Sequence, residues 1–150
     1  MGDMAISRIR ARLCALCVAA LLAIPGCTAP VGETTLYADL GGEPVITRFV
    51  TEVLAISVAD PRIAKDFDNI NLVWLRDHIV RQFCELTGGP CRYTGRGMYA
   101  SHKGLHLATF NFNVFVEDLQ IAMDHEGVPF PTQNRLLKIL APMYHDIVTR

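Results

Sequence analysis

The chain has 150 residues, 51% of them hydrophobic and 19% charged, with 14 basic against 15 acidic side chains. A chain of this length makes one domain and not two. Its near-neutral charge, with acidic residues scattered among the basic ones, excludes the electrostatic footprint of a nucleic-acid binder, so neither DNA nor RNA is expected as a partner.

Arg8, Arg10 and Arg12 precede an apolar run from Leu13 to Ile24. The run is too short to span a bilayer as a helix and has the layout of a secretory signal. It ends in Leu22-Ala23-Ile24-Pro25-Gly26-Cys27, where small residues lead directly into a cysteine. This segment resembles the lipobox of bacterial lipoproteins, with Pro25 departing from the usual residue at its place. The resemblance implies cleavage before Cys27, lipidation of Cys27, and a chain held to a membrane by several acyl groups, facing the periplasm or the outside. An ordinary signal peptide with an incidental Cys27 is the alternative. Residues 1–26 are thus expected to be a signal peptide, 27–35 a tether and 36–150 the domain. Loss of residues 1–26 leaves 11 basic and 14 acidic side chains, a net charge of −3.

Cys14 and Cys17 belong to the signal, which leaves the domain with Cys84 and Cys91. An isolated pair in an exported protein suits a disulfide across the Gly88-Gly89-Pro90 corner, with two free thiols as the alternative. Their spacing does not suit zinc, and no second close pair follows.

In chain order, residues 35–40 read as a short helix stopped by Gly41-Gly42, and Glu43-Pro44 opens a second. Val45, Ile46, Phe49, Val50, Val53, Leu54 and Ile56 mark its apolar face. Residues 63–67 make one helical turn. A third helix, over 72–87, carries Leu72, Leu75, Ile79, Phe83 and Leu86 at three- and four-residue steps before Gly88-Gly89-Pro90 ends it. A loop follows, then a short helix over 98–103, a helix over 109–126 closed by Gly127-Val128-Pro129, and a last one over 132–148. No alternating strand pattern occurs, so the expected class is all-α. The short connections and the sparsely apolar loop at the middle suggest that a bound group fills the centre.

The order Leu36-Tyr37-x-x-Leu40-Gly41-Gly42, Phe67, Gly88-Gly89-Pro90-x-x-Tyr93-Thr94-Gly95, Met98-x-x-x-His102 and Gly127-Val128-Pro129 resembles that of group I truncated haemoglobins. The resemblance runs from Leu36 to Val148 and implies a two-over-two helical sandwich around haem b (iron protoporphyrin IX). It assigns His102 as the proximal iron ligand and Phe67 as the aromatic wedging the haem. Leu75, Phe83, Met98, Leu107, Phe112, Phe115 and Leu119 fall where the family lines its pocket. Tyr93 and Arg96 are candidate partners for propionates.

At the distal places where many dioxygen-binding members carry a tyrosine and a glutamine, this chain has Leu54 and Ile79, neither a hydrogen-bond donor. Some members place a histidine on the iron from the distal side at the position of His78. The resemblance therefore implies either small diatomic ligands (dioxygen, nitric oxide) or electron exchange with an unknown donor, with oxygen storage disfavoured. Nitric oxide oxidation and other redox activity are the candidate reactions. The alternative reading is a haem-free globin-like lipoprotein acting as an interaction module. Covalent c-type attachment is disfavoured because no Cys-x-x-Cys-His occurs. Gly95-Arg96-Gly97 alone is too little for a nucleotide fingerprint.

Overall fold

Thr35 opens the fold: its hydroxyl accepts the Ala38 N–H at 3.3 Å and caps helix α1, Leu36–Asp39. The computed structural model describes residues 34–148, so the signal segment with Cys14, Cys17 and Cys27, and most of the tether, lie outside the described residues. Gly41, at φ +87°, reverses the chain into helix α2, Gly42–Ala59. A Cβ there would stand 2.4 Å from the Val45 side chain, so the turn requires glycine for both its backbone and its space.

Helix α3, Leu72–Leu86, starts where the Asn71 side chain accepts the Trp74 N–H at 3.0 Å. Helices α4, Met98–His102, α5, Thr109–His125, and α6, Phe130–Leu140, follow. A 3₁₀ turn, Ala64–Phe67, joins α2 to α3, and a second, Ala141–Met143, joins α6 to α7, Tyr144–Ile147. The expected single last helix over 132–148 is thus two pieces. Pro142 has no N–H to donate, and its ring would meet the carbonyl of Lys138 in a continued α-helix, so the chain tightens there and turns. No strand occurs among the described residues, and no described helix is long and apolar enough to cross a membrane.

Helix α2 is the hub, packing along both α3 and α5, while α5 carries α6 and α7, and α4 packs on α7. Ile46, Phe49, Val50 and Val53 of α2 meet Val80 and Phe83 of α3 and Leu119, Ala122 and Met123 of α5 in one buried cluster. Phe49 is fully buried with its ring centroid 6.2 Å from that of Phe83. Each such side chain contributes roughly 1.5–3 kcal/mol by leaving water. Phe83 and Leu119 also face the cavity described below, so the core is the floor of the site.

The chain leaving α3 is stapled back onto it. Cys84, with no exposed surface, is bonded to Cys91 across a Cα–Cα distance of 5.7 Å. The Gly89 N–H donates to the Cys84 carbonyl at 2.7 Å, and the Tyr37 N–H donates to the Thr87 carbonyl at 2.8 Å, tying the same corner to α1. The bridge thereby fixes the start of the segment that brings Tyr93 to Arg96 to the cavity wall.

One ionisable group lies inside the α2–α5 interface. Asp118 is 1% exposed and accepts the Ser57 hydroxyl at 2.8 Å. Burial pushes its carboxyl above the ordinary value, against the pull of that hydroxyl. Asp60, beside it, is held below the usual carboxylate range by hydrogen bonds from Arg62, which also reaches Glu117 at 2.8 Å.

A raised carboxyl favours the protonated fold, so its penalty is absent well below pH ~4, grows as pH rises through the window above that, and is complete at neutrality. Asp118→Asn keeps an acceptor for Ser57 and removes the charge. It is expected to melt a few degrees above the wild type at pH 7, with the gap closing as pH falls below ~4; melting curves across pH check this. Replacing the pair as Cys84→Ala/Cys91→Ser is expected to cost about 2–3 kcal/mol in urea unfolding, the value for so short a closed loop.

Candidate functional site

Helix α3 presents Trp74, Leu75, His78, Ile79, Gln82 and Phe83 to a single cavity of about 620 Å³. Their three- and four-residue spacing keeps them on one stripe of the helix. The opposite wall comes from α4 through Met98, Ser101 and His102, with Leu105 and Leu107 beyond it. Phe112, Phe115 and Leu119 of α5 form the back, and Phe67 closes the end next to α3. The Phe67 and Phe115 rings stack with centroids 6.4 Å apart, and Tyr144 supports Phe112 edge-on at 5.3 Å. A cavity of this size with apolar walls and few polar groups has the character of a small-molecule or cofactor site.

The structure brings His78, His102, Phe67, Leu75, Ile79, Phe83, Tyr93, Met98, Phe112 and Phe115 together around that space. Leu54 is the exception. It belongs to the buried face of α2, 3% exposed, and does not reach the wall, so the distal surface is set by α3.

Each histidine is anchored in the same way. His102 Nδ1 lies 2.8 Å from the carbonyl of Met98, one helical turn back, and His78 Nδ1 lies 2.9 Å from the carbonyl of Trp74. A carbonyl only accepts, so the proton of each ring sits on Nδ1. In the neutral ring Nε2 then carries the free lone pair, the arrangement in which a helical histidine serves as a metal ligand whose other nitrogen is held by the backbone. Two such nitrogens on different helices lining one apolar cavity are donors that a metal-centred cofactor accepts, and haem fits this donor set.

The loop after the disulfide supplies the polar edge. Tyr93 folds back over Gly95, where a Cβ would stand 2.3 Å from its ring, and donates its hydroxyl to the Arg96 carbonyl at 2.9 Å. The phenol is thereby committed to shaping the loop, and burial raises its proton affinity. The Arg96 side chain lies at the rim with no ion-pair partner among the described residues.

Several wall residues escaped the sequence reading, Gln82, Trp74 and Asn111 among them. Gln82, one turn after His78, points its amide at the Met98 sulfur at 3.7 Å and adds a second polar side chain to α3's stripe. Trp74 stacks on His78 with ring centroids 3.7 Å apart. Asn111 donates to Asp66 at 2.7 Å, closing the cavity between α5 and the first 3₁₀ turn. The periodic signal for Trp74 and Gln82 was present, since both stand four residues from His78; Asn111 gave none.

The chain matches the bacterial-like globin family over residues 35–149. It is similar to the group 1 truncated haemoglobin of Tetrahymena pyriformis, 29% identical over 118 residues that cover 76% of this chain and 94% of that protein. It is also similar to the group 1 truncated haemoglobin of Nostoc commune, 33% identical over 95 residues covering 63% and 80%. The crystal structure of the T. pyriformis truncated haemoglobin in its Fe(III) form matches with a TM-score of 0.75 at 26% identity, over 78% of this chain and 100% of that one. The 2/2 haemoglobin of Synechococcus sp. PCC 7002 shares the fold at a TM-score of 0.73 and 24% identity, over 78% of this chain and 100% of that one. The chain therefore belongs to the bacterial-like globin family and is a haem-binding group I truncated haemoglobin.

Proposed function

We propose that haem b occupies the cavity with its iron between His102 and His78, and that the protein exchanges electrons or handles small diatomic gases such as dioxygen and nitric oxide. The observation that carries this reading is the shared anchoring of the two imidazoles, each with its proton on Nδ1 and its Nε2 free. Bound haem supplies an iron centre that cycles between ferric and ferrous states, with axial ligands and pocket polarity as the protein's controls.

The residues divide the work. His102, on the short helix α4, is the proximal ligand, held by the Met98 carbonyl. Phe67, Leu75, Phe83, Phe112 and Phe115 exclude water from the ring faces. Arg96, at the rim, is the candidate partner for the carboxylates of the porphyrin edge. Ile79, a lining residue, has no donor to offer a metal-bound ligand, which would disfavour tight retention of a polar one.

His78 has two consequences. An external ligand would compete with His78 for the metal, so apparent affinity would fall in proportion to the fraction of time His78 leaves the site open. Electron exchange would need no such opening, and this favours it over storage, whereas nitric oxide chemistry would need the site open. Lipidation at Cys27, read from the sequence, would hold this chemistry in the cell envelope near a membrane-bound electron donor.

Protein purified and reconstituted with haemin is expected to give a sharp Soret band and a low-spin, six-coordinate ferric spectrum. His102→Ala is expected to lose the band or change it radically, and His78→Leu to convert the spectrum to high spin. A high-spin wild type would remove His78 from the iron. Failure to take up haem in any redox state would favour the haem-free interaction module.

A further inference from the structure

Trp74 is the only tryptophan of the chain, and it stands one turn before His78 on α3. Two contacts bind the two residues into one unit, and a third fixes the backbone beneath them. The indole and imidazole rings stack with centroids 3.7 Å apart and planes at 30°. The Trp74 carbonyl accepts the His78 Nδ1–H at 2.9 Å. The Trp74 N–H is itself held at 3.0 Å by the Asn71 cap, so the backbone under the stack is fixed at the helix start. The Tyr93 ring also stands edge-on to the imidazole, with centroids 6.4 Å apart.

His102 provides the comparison. It has the same anchor to the carbonyl four residues back, yet no aromatic ring stacks on it among the described residues. The backbone bond alone therefore suffices to set the tautomer, and the indole of Trp74 must do something else. It is 53% exposed although it also lines the cavity, so burial of its own surface does not account for its place. What it does cover is one face of the imidazole.

We propose that Trp74 is a positioning residue for His78, holding its ring in the orientation that keeps Nε2 toward the cavity and so setting how readily His78 yields to an incoming ligand. This rests on the reading of His78 as the second iron ligand. A stacked aromatic pair is worth enough beyond its buried area to change the open fraction roughly two- to tenfold.

The test uses ferric holoprotein and cyanide as the external ligand, with spin state and binding rate as readouts. Far-UV circular dichroism and the Soret band check that each variant is folded and loaded. Trp74→Ala is expected to raise the high-spin fraction and to accelerate cyanide binding by roughly two- to tenfold, while Trp74→Phe, which retains a stacking ring, stays near the wild type. In a His78→Leu background, Trp74→Ala is expected to change neither quantity.

Equal acceleration with and without His78 would make Trp74 a steric cover and overturn the proposal. So would an unchanged rate in Trp74→Ala when His78→Leu alone does alter it. If His78→Leu itself leaves spectrum and rate unchanged, the distal-ligand reading fails first, and the role of Trp74 falls with it.

Discussion

A proton held on Nδ1 by a carbonyl one helical turn back decides what each cavity imidazole is able to do. It leaves Nε2 as the donor, orients the ring along its helix, and makes the position of the helix the position of the ligand. His102 and His78 obey the same rule on α4 and α3. The rest of the fold holds those two helices around an apolar space that the chain's own side chains leave open.

The scaffold achieves this with little material. Helix α2 buries one face against α3 and α5, and the shared cluster ends in Phe83 and Leu119, whose far sides are cavity wall. Displacing either element moves both the core and the site, so stability and function are coupled through the same side chains. The disulfide adds a covalent limit at the other end of α3. By joining Cys84 to Cys91 it shortens the free path of the loop that delivers Tyr93 and Arg96, a constraint suited to an exported protein and unavailable in a reducing compartment. The buried Asp118 is the one place where the interface works against itself, since the Ser57 hydroxyl is a single partner for a group that prefers several.

Much of this was legible in the sequence because its signals are local. Gly41-Gly42, Asn71, Gly88-Gly89-Pro90 and Pro129 mark turns and caps whose chemistry is fixed within a few residues, and the apolar stripe of α3 announces which face turns inward. His78 and His102 were visible as candidates for the same reason. Pro142 stands in the sequence as plainly, but the apolar spacing from Leu136 to Ile147 runs through it and masks the break that its missing donor makes. The stacking of Trp74 on His78 depends on side-chain torsions, and the contact of Ser57 with Asp118 joins positions 61 residues apart; neither leaves a pattern in a single chain. Leu54 illustrates the opposite case: a position matched by family order is buried here and is not part of the cavity wall.

The most direct test of two-histidine coordination is electron–nuclear double resonance on the frozen ferric protein with its histidines labelled with ¹⁵N. Coordination by both His102 and His78 predicts a low-spin centre coupled to two imidazole nitrogens, one of which disappears when His78 is replaced by Leu. A high-spin centre, or coupling to a single imidazole nitrogen in the wild type, would contradict it.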